Sequence, residues 1–266
     1  TYNICYSFDP PGTCPTYTYC QSITVTNPNN PAWTAPAALC ANAAAINLNT
    51  LVTGTAGGTW SGTGVSGNTF NPATSGPGTF TVTYTLGSGS CGATQSHTIT
   101  VNPVPVATAT PSTQSICSGS ATSIALTSSI GSTTFNWTVT QTGASGASAG
   151  SGASIAQTLT ATGSTSGTVV YTITPTAGGC TGSPISVTIT VKPKPTVTAT
   201  PSAATICSGS ATSIALTSNV VGATFAWTVT QTGVTGASAS SGSNIVQTLS
   251  TTGTTAGTAV YTITPS

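Results

Sequence analysis

The chain has 266 residues and almost no charge: one acid, Asp9, one histidine, His97, two lysines, Lys192 and Lys194, and no arginine. General acid–base catalysis, nucleophile activation and hard-metal coordination need several ionisable groups converging on one site, so no catalytic residue, metal site or cofactor is expected. A net charge of +1 also provides no phosphate-binding patch, which argues against nucleic acid as a partner.

Apolar and β-branched residues alternate with polar ones along most of the chain, the pattern of half-buried strands rather than of a disordered segment. Taken in order, residues 1–31 open with the aromatic-rich TYNICYSFDPPGTCPTYTYC and close with QSITVTNP at 21–28, which reads as a final strand. They are expected to be the end of a preceding unit or a strand-donating segment. A first β-sandwich of its own sequence is expected over 32–103. A second is expected over 104–194, with strands at VATAT, SIALTS, FNWTVTQT, IAQTLTAT, VVYTIT and ISVTITV. A third, 195–266, stops at ITPS without a counterpart of CTGSPISVTITVK at 180–192, and is expected to lack its last strand. The boundaries carry NPVP at 102–105 and KPKP at 192–195, where alternating prolines remove backbone donors and hold a short connector extended.

The second and third units are copies. ICSGSATSIALTS occurs at 116–128 and again at 206–218, and Cys117, Trp137 and Tyr171 return 90 positions later as Cys207, Trp227 and Tyr261. A period of that length means tandem domains rather than one large one, and six or seven short strands per period mean a β-sandwich. The predicted core of the second unit is Ile124, Leu126, Phe135 or Trp137, Val139, Leu159, Val170 or Tyr171, Ile173, Val187 and Ile189, with Trp227 and Tyr261 as its equivalents in the third. Threonine alternates outward, its branched Cβ suited to strands and its hydroxyl to water. A tryptophan in such a strand reads as core rather than as a sugar-stacking platform, and His97, with no Asp, Glu or second His nearby, as a surface residue rather than a ligand.

The eight cysteines form no close pairs of the zinc-binding kind, which points to disulfides and an oxidising compartment outside the cell. Cys40 with Cys91 and Cys117 with Cys180 each enclose one predicted domain, and each bridge is worth roughly 2–4 kcal/mol. Cys5, Cys14, Cys20 and Cys207 are left, and the pairing among Cys5, Cys14 and Cys20 stays open. Cys14 lies eleven residues before Val25, as Cys180 lies eleven before Val191. That spacing makes Cys14 the partner of Cys207, between segments of a longer chain or between subunits. With no initiator methionine, no signal peptide and no apolar run long enough to span a bilayer, the chain reads as a mature soluble or surface-displayed segment.

The pattern ATATPSTQSICSGSATSIALTS…FNWTVTQTG…YTITPTAGGCTGSPISVTITVKPKP resembles the PKD-like, immunoglobulin-like repeats of very large surface proteins of Bacteroidota, gliding and adhesion proteins exported by type IX secretion among them. The resemblance is specific over 104–266, looser over 32–102, and absent from 1–28. It implies an extracellular β-sandwich array acting as stalk, adhesin or filament, with no catalytic residue to carry over. The partners expected are adjacent repeats of the same chain or neighbouring copies of itself. Calcium at the domain junctions and Lys–Asn isopeptide bonds both lack the carboxylates they require. Two further readings are glycan or host-surface binding through the loop at 143–154 or through Tyr17 and Tyr19, and ice binding by Thr-x-Thr rows. A third is polymerisation by strand exchange, since a sandwich lacking a strand exposes a pairing edge.

Overall fold

The computed structural model describes residues 1–24, 29–87 and 92–266. The expected strand at 21–28 lies partly, and Cys91 wholly, outside the described residues. Almost every regular element is a strand. The short exceptions among the described residues are the 3-10 turn Leu48–Leu51 and the helical turn Pro72–Ser75, opened by Asn47 and Asn71 side chains that accept from Asn49 N and Ala73 N. The chain divides into two compact units, Thr1–Val104 with Ala177–Cys180, and Pro105–Thr176 with Thr181–Ser266.

The first unit begins with an antiparallel hairpin, Tyr2–Phe8 against Tyr17–Ile23. A sandwich follows. Its larger sheet runs Leu39–Cys40, Ala93–Asn102, Gly78–Leu86 and Thr59–Ser61, and its smaller one Ile46–Asn47, Thr69–Phe70 and Val65–Ser66. Between them pack Trp33, Leu48, Trp60, Phe70, Val82, Tyr84, Leu86, Ile99 and Val101. The polar ends of the aromatic rings all find partners, as burial requires. Trp33 Nε1 donates to Gln95 O at 3.1 Å, Trp60 Nε1 to Asn49 Oδ1 at 2.8 Å, and Tyr84 Oη to Thr55 O at 3.0 Å.

In the second unit, the copy over 104–194 has a five-strand path of Thr113–Cys117, Ile185–Lys192, Gly167–Ala177, Thr134–Thr142 and Gly150–Ser151. It faces two three-stranded sheets. One is built from Ala107–Thr110, Ile124–Ser128 and Ser154–Ile155, the other from Ser120–Ala121, Thr158–Ala161 and Ala144–Ser145. The alternation predicted from sequence places Ile124, Leu126, Phe135, Trp137, Leu159, Val169, Tyr171, Ile173, Val187, Ile189 and Val191 in one core. Phe135 and Trp137, two residues apart, both point inward. Tyr171 is buried with Val169, so the strand's period of two turns Val170 to the other face. Val139 is only half-buried, where Thr134–Thr142 runs out into exposed residues.

A polar network locks this sandwich. Gln157 Oε1 accepts from Tyr171 Oη at 2.8 Å and from Ser148 N at 3.0 Å, while its Nε2 donates to Ser148 O at 2.9 Å. Trp137 Nε1 donates to the same carbonyl at 3.2 Å. Buried Thr122 donates to Ile155 O at 3.0 Å and accepts from Gln157 N at 2.9 Å. The loop at 143–154 is thereby pinned to the core, and its turn needs glycine. Gly146 has φ +97°, and a Cβ there would lie 2.2 Å from Thr158 O. The same bonds recur 90 residues on, through Thr212, Trp227, Ser238, Gln247 and Tyr261.

Burial raises the pKa of both tyrosine hydroxyls, an effect that the hydrogen bond with Thr212 partly offsets at Tyr261. The folded chain therefore holds these protons more tightly than the unfolded one. Their contribution to stability is complete below the ordinary value of about 10 and is lost as pH rises above it. Tyr171→Phe is expected to flatten that alkaline loss and to cost about 1 kcal/mol at neutral pH through its bond to Gln157. Urea titrations at neutral and alkaline pH check both, and an unchanged alkaline slope would assign the loss to other groups.

The disulfides differ from the expected set. Cys40 bonds Cys180, 140 residues away, rather than Cys91, and Cys117 is a free, exposed thiol rather than the partner of Cys180. Register explains both corrections. Cys40 pairs with Asn102 in the ladder, and Asn102 Nδ2 donates to Gly178 O at 2.8 Å in the turn that ends in Cys180. Both cysteines meet at Asn102, with Cα atoms 5.5 Å apart. Cys117 instead pairs with Lys192. The strand that follows Cys180 starts at Ile185 and reaches Lys192 only at its far end, about 23 Å on at ~3.3 Å per residue, beyond disulfide reach. The other bond is Cys5–Cys20, across the hairpin.

Candidate assembly interface

Two exposed apolar features stand out, and each follows from strand register. In the hairpin, Tyr2 faces Ile23, Ile4 faces Gln21, Tyr6 faces Tyr19 and Phe8 faces Tyr17. The period of two gathers these side chains on one side. The other side is polar: Asn3 accepts from Ser22 at 2.7 Å, Ser7 and Thr18 hydroxyls meet at 3.2 Å, and Cys5–Cys20 ties the strands. The hairpin is thus amphipathic, yet Tyr6 is 70% exposed and Tyr17 and Tyr19 are each 73% exposed. Two strands alone bury too little to be stable in water, and a contiguous aromatic patch of this kind marks an interaction surface.

The second feature is an edge. In the copy over 104–194, Gly167–Ala177 lies between Thr134–Thr142 and Ile185–Lys192, and Val169, Tyr171 and Ile173 are fully buried. Among the described residues the equivalent strand Thr258–Pro265 pairs on one side only, with Phe225–Thr232. Its inward residues Ala259, Tyr261 and Ile263 are half-buried, and the fully formed core shrinks to Leu216, Phe225, Trp227 and Ile245. Residues 203–206 form no strand, although their counterpart Thr113–Cys117 does. Between them opens a cavity of about 670 Å³, lined by Pro201, Ile206, Cys207, Leu249, Tyr261 and Ile263 among others.

The other residues singled out from the sequence are placed as follows. Cys14, Cys117 and Cys207 are free and exposed. Trp137 and Trp227 are buried. His97 packs edge-on against Trp33 at 4.8 Å and contacts Gln95 Nε2 at 2.9 Å. Lys192 and Lys194 are exposed. Among the described residues no three His, Cys, Asp or Glu side chains cluster, and no helix is long and apolar enough to cross a membrane. Sequence reasoning missed the Gln157 network and the hairpin's aromatic face. The signals were present: Thr122, Ser148 and Gln157 each recur at the 90-residue period, and Tyr2, Ile4, Tyr6 and Phe8 alternate strictly.

The PKD-like domain family matches residues 114–195 and 204–266, together more than half of the chain. The chain belongs to the PKD-like domain family. The matched spans are the two sandwiches of the second unit, so the Gln157 and Gln247 networks and the open Thr258–Pro265 edge all sit inside PKD-like domains. No curated protein matches the chain. Among solved structures it is similar to the protocadherin gamma B2 extracellular cadherin domains 3–6, at 10% identity over 99% of this chain and 82% of that one, with a TM-score of 0.33. It is also similar to a SusE-like surface-located polysaccharide-binding protein from the Bacteroides thetaiotaomicron heparin utilisation locus. There the identity is 12% over 76% of this chain and 43% of that one, with a TM-score of 0.26.

Proposed function

We propose that the chain is a non-catalytic structural segment of an extracellular filament or adhesin stalk, within a large surface protein of the Bacteroidota type exported by type IX secretion. The observation that carries this reading is the tandem repetition itself. Two PKD-like sandwiches repeat the same polar network 90 residues apart. Repeated modules of this kind extend a chain one neighbour contact at a time. In this reading 1–31 ends a preceding unit or donates a strand, and 32–103, 104–194 and 195–266 are successive β-sandwiches, the last without its final strand. Disulfides suit the oxidising exterior, and the hydroxyl-rich strand faces keep a nearly uncharged surface solvated.

Gold-labelled antibody against the purified chain is expected to decorate fibres or the outer surface of intact cells of the source. Labelling confined to the cell interior would end this reading. A second reading, glycan binding, draws on the exposed rings of Tyr17 and Tyr19, which offer flat apolar faces to a sugar. A glycan array separates the two, since a stalk segment gives no hits.

A further inference from the structure

Tension applied along the chain has two routes onward from Cys40: the backbone that leads to Cys180, 140 residues later, or the sulfur–sulfur bond that joins the two cysteines directly. We propose that Cys40–Cys180 is a load bypass, through which a pulling force passes this part of the chain without stretching residues 41–179. The proposal deepens the structural role above and rests on it for the load itself.

The covalent route is the short one. A backbone of 140 residues extends to about 500 Å at ~3.6 Å per residue, whereas the Cα atoms of the bonded cysteines stand 5.5 Å apart. Ladders of hydrogen bonds open under a sustained pull at the rate of forced unfolding, while the covalent bond holds. Residues 41–179 are therefore a closed loop that bears no tension. That loop contains the core of the first sandwich from Leu48 to Val101 and the core of the sandwich over 104–194 from Ala107 to Ile173. On the near side, tension enters the first sandwich only through the residues up to Cys40, whose strand is in register with Val101 and Asn102.

Register decides what happens beyond Cys180. The chain soon enters Ile185–Lys192, a strand held on one side by Gly167–Ala177 and on the other by Thr113–Cys117. A strand rises ~3.3 Å per residue, close to the ~3.6 Å limit of a fully extended chain. Force drawn from Cys180 toward Lys192 runs along this strand, which has almost no length to yield. Both neighbouring strands lie inside the closed loop and carry none of it, and Val187, Ile189 and Val191 keep their places in the core. The sandwich over 104–194 is thus carried on one extended strand and is not sheared between its first and last strands. Gly182 fixes the start of the path. Its N–H donates to Pro175 O at 2.9 Å, and a Cβ there would lie 1.9 Å from Pro105 O.

The test is single-molecule pulling on the whole chain, with handles fused to both ends, before and after reductant is added. Without reductant, the extension steps should account for the sandwich over 195–266 and the short segments outside the loop alone. With reductant, the extended chain should gain about 500 Å from the loop and about 50 Å more from opening Cys5–Cys20, whose separation is 15 residues. Cys180→Ser should give the larger gain without reductant, and Cys5→Ser only the smaller one. If Cys180→Ser fails to fold, reduction of a tethered wild-type molecule reads the same gain. Each of three outcomes overturns the proposal: an oxidised chain that releases the length of 41–179, equal lengths with and without reductant, or a larger gain reproduced by Cys117→Ser in place of Cys180→Ser. Any of these, with fibres still labelled by antibody, removes the bypass and keeps the structural role. The larger gain without labelled fibres or cell surface does the reverse.

Discussion

Trp137→Ala is expected to lower the stability of the sandwich over 104–194 by about 3–5 kcal/mol, a large share of the roughly 5–15 kcal/mol that holds a domain folded. Trp137 belongs to the buried core of that sandwich, 7% exposed, and its indole nitrogen donates to Ser148 O at 3.2 Å. Alanine removes the ring that lies against Gly150 and Gly152, leaves a cavity beside them, and strips the loop at 143–154 of one of its anchors. Trp137→Phe restores most of the volume without the donor, so it should cost less. Domains of a multidomain chain melt in separate transitions. The check is therefore calorimetry, in which one transition moves and the others stay. Trp227→Ala acts on a core of four buried residues and is expected to leave its sandwich unfolded at room temperature. A shift under 1 kcal/mol in Trp137→Ala would mean that the core collapses around the gap.

Reducing Cys40–Cys180, or replacing Cys180 with serine, is expected to cost the first unit about 2–5 kcal/mol. For a domain of this size that is roughly a 10–30 °C drop in its melting temperature. The bond closes 140 residues of chain, so its loss frees a long segment in the unfolded state, and it also releases the Asn102 contact with Gly178. Cys117→Ser, which removes a free and exposed thiol, should leave every transition of the monomer in place. This contrast separates the observed bond from the Cys117–Cys180 bond expected from spacing. If Cys180→Ser and Cys117→Ser lower the melting temperature equally, the assignment of partners is wrong.

Much of the fold is legible in the sequence because strand formation is local. Alternation of period two places Ile124, Leu126, Tyr171, Ile173, Val187 and Ile189 on an inward face before any tertiary contact is considered, and the 90-residue period marks the two PKD-like segments. Where two neighbours competed, as with Val170 and Tyr171, only the ladder with Ile185–Lys192 decides which side faces in. The candidate site was less legible. Its aromatic face appears in the alternation of Tyr2, Ile4, Tyr6 and Phe8, but exposure belongs to the assembled chain: the same pattern over Val169, Tyr171 and Ile173 is buried, because there a further strand and a second layer cover it.

By itself the sequence determined the β-class, the tandem repeats and the lack of ionisable chemistry, since each depends on residue type and near neighbours along the chain. Only the tertiary structure decided which cysteines meet and which apolar face meets water. Those outcomes depend on register between residues far apart in sequence, and no local pattern carries that register: Cys40 and Cys180 meet because a strand and a turn both end at Asn102.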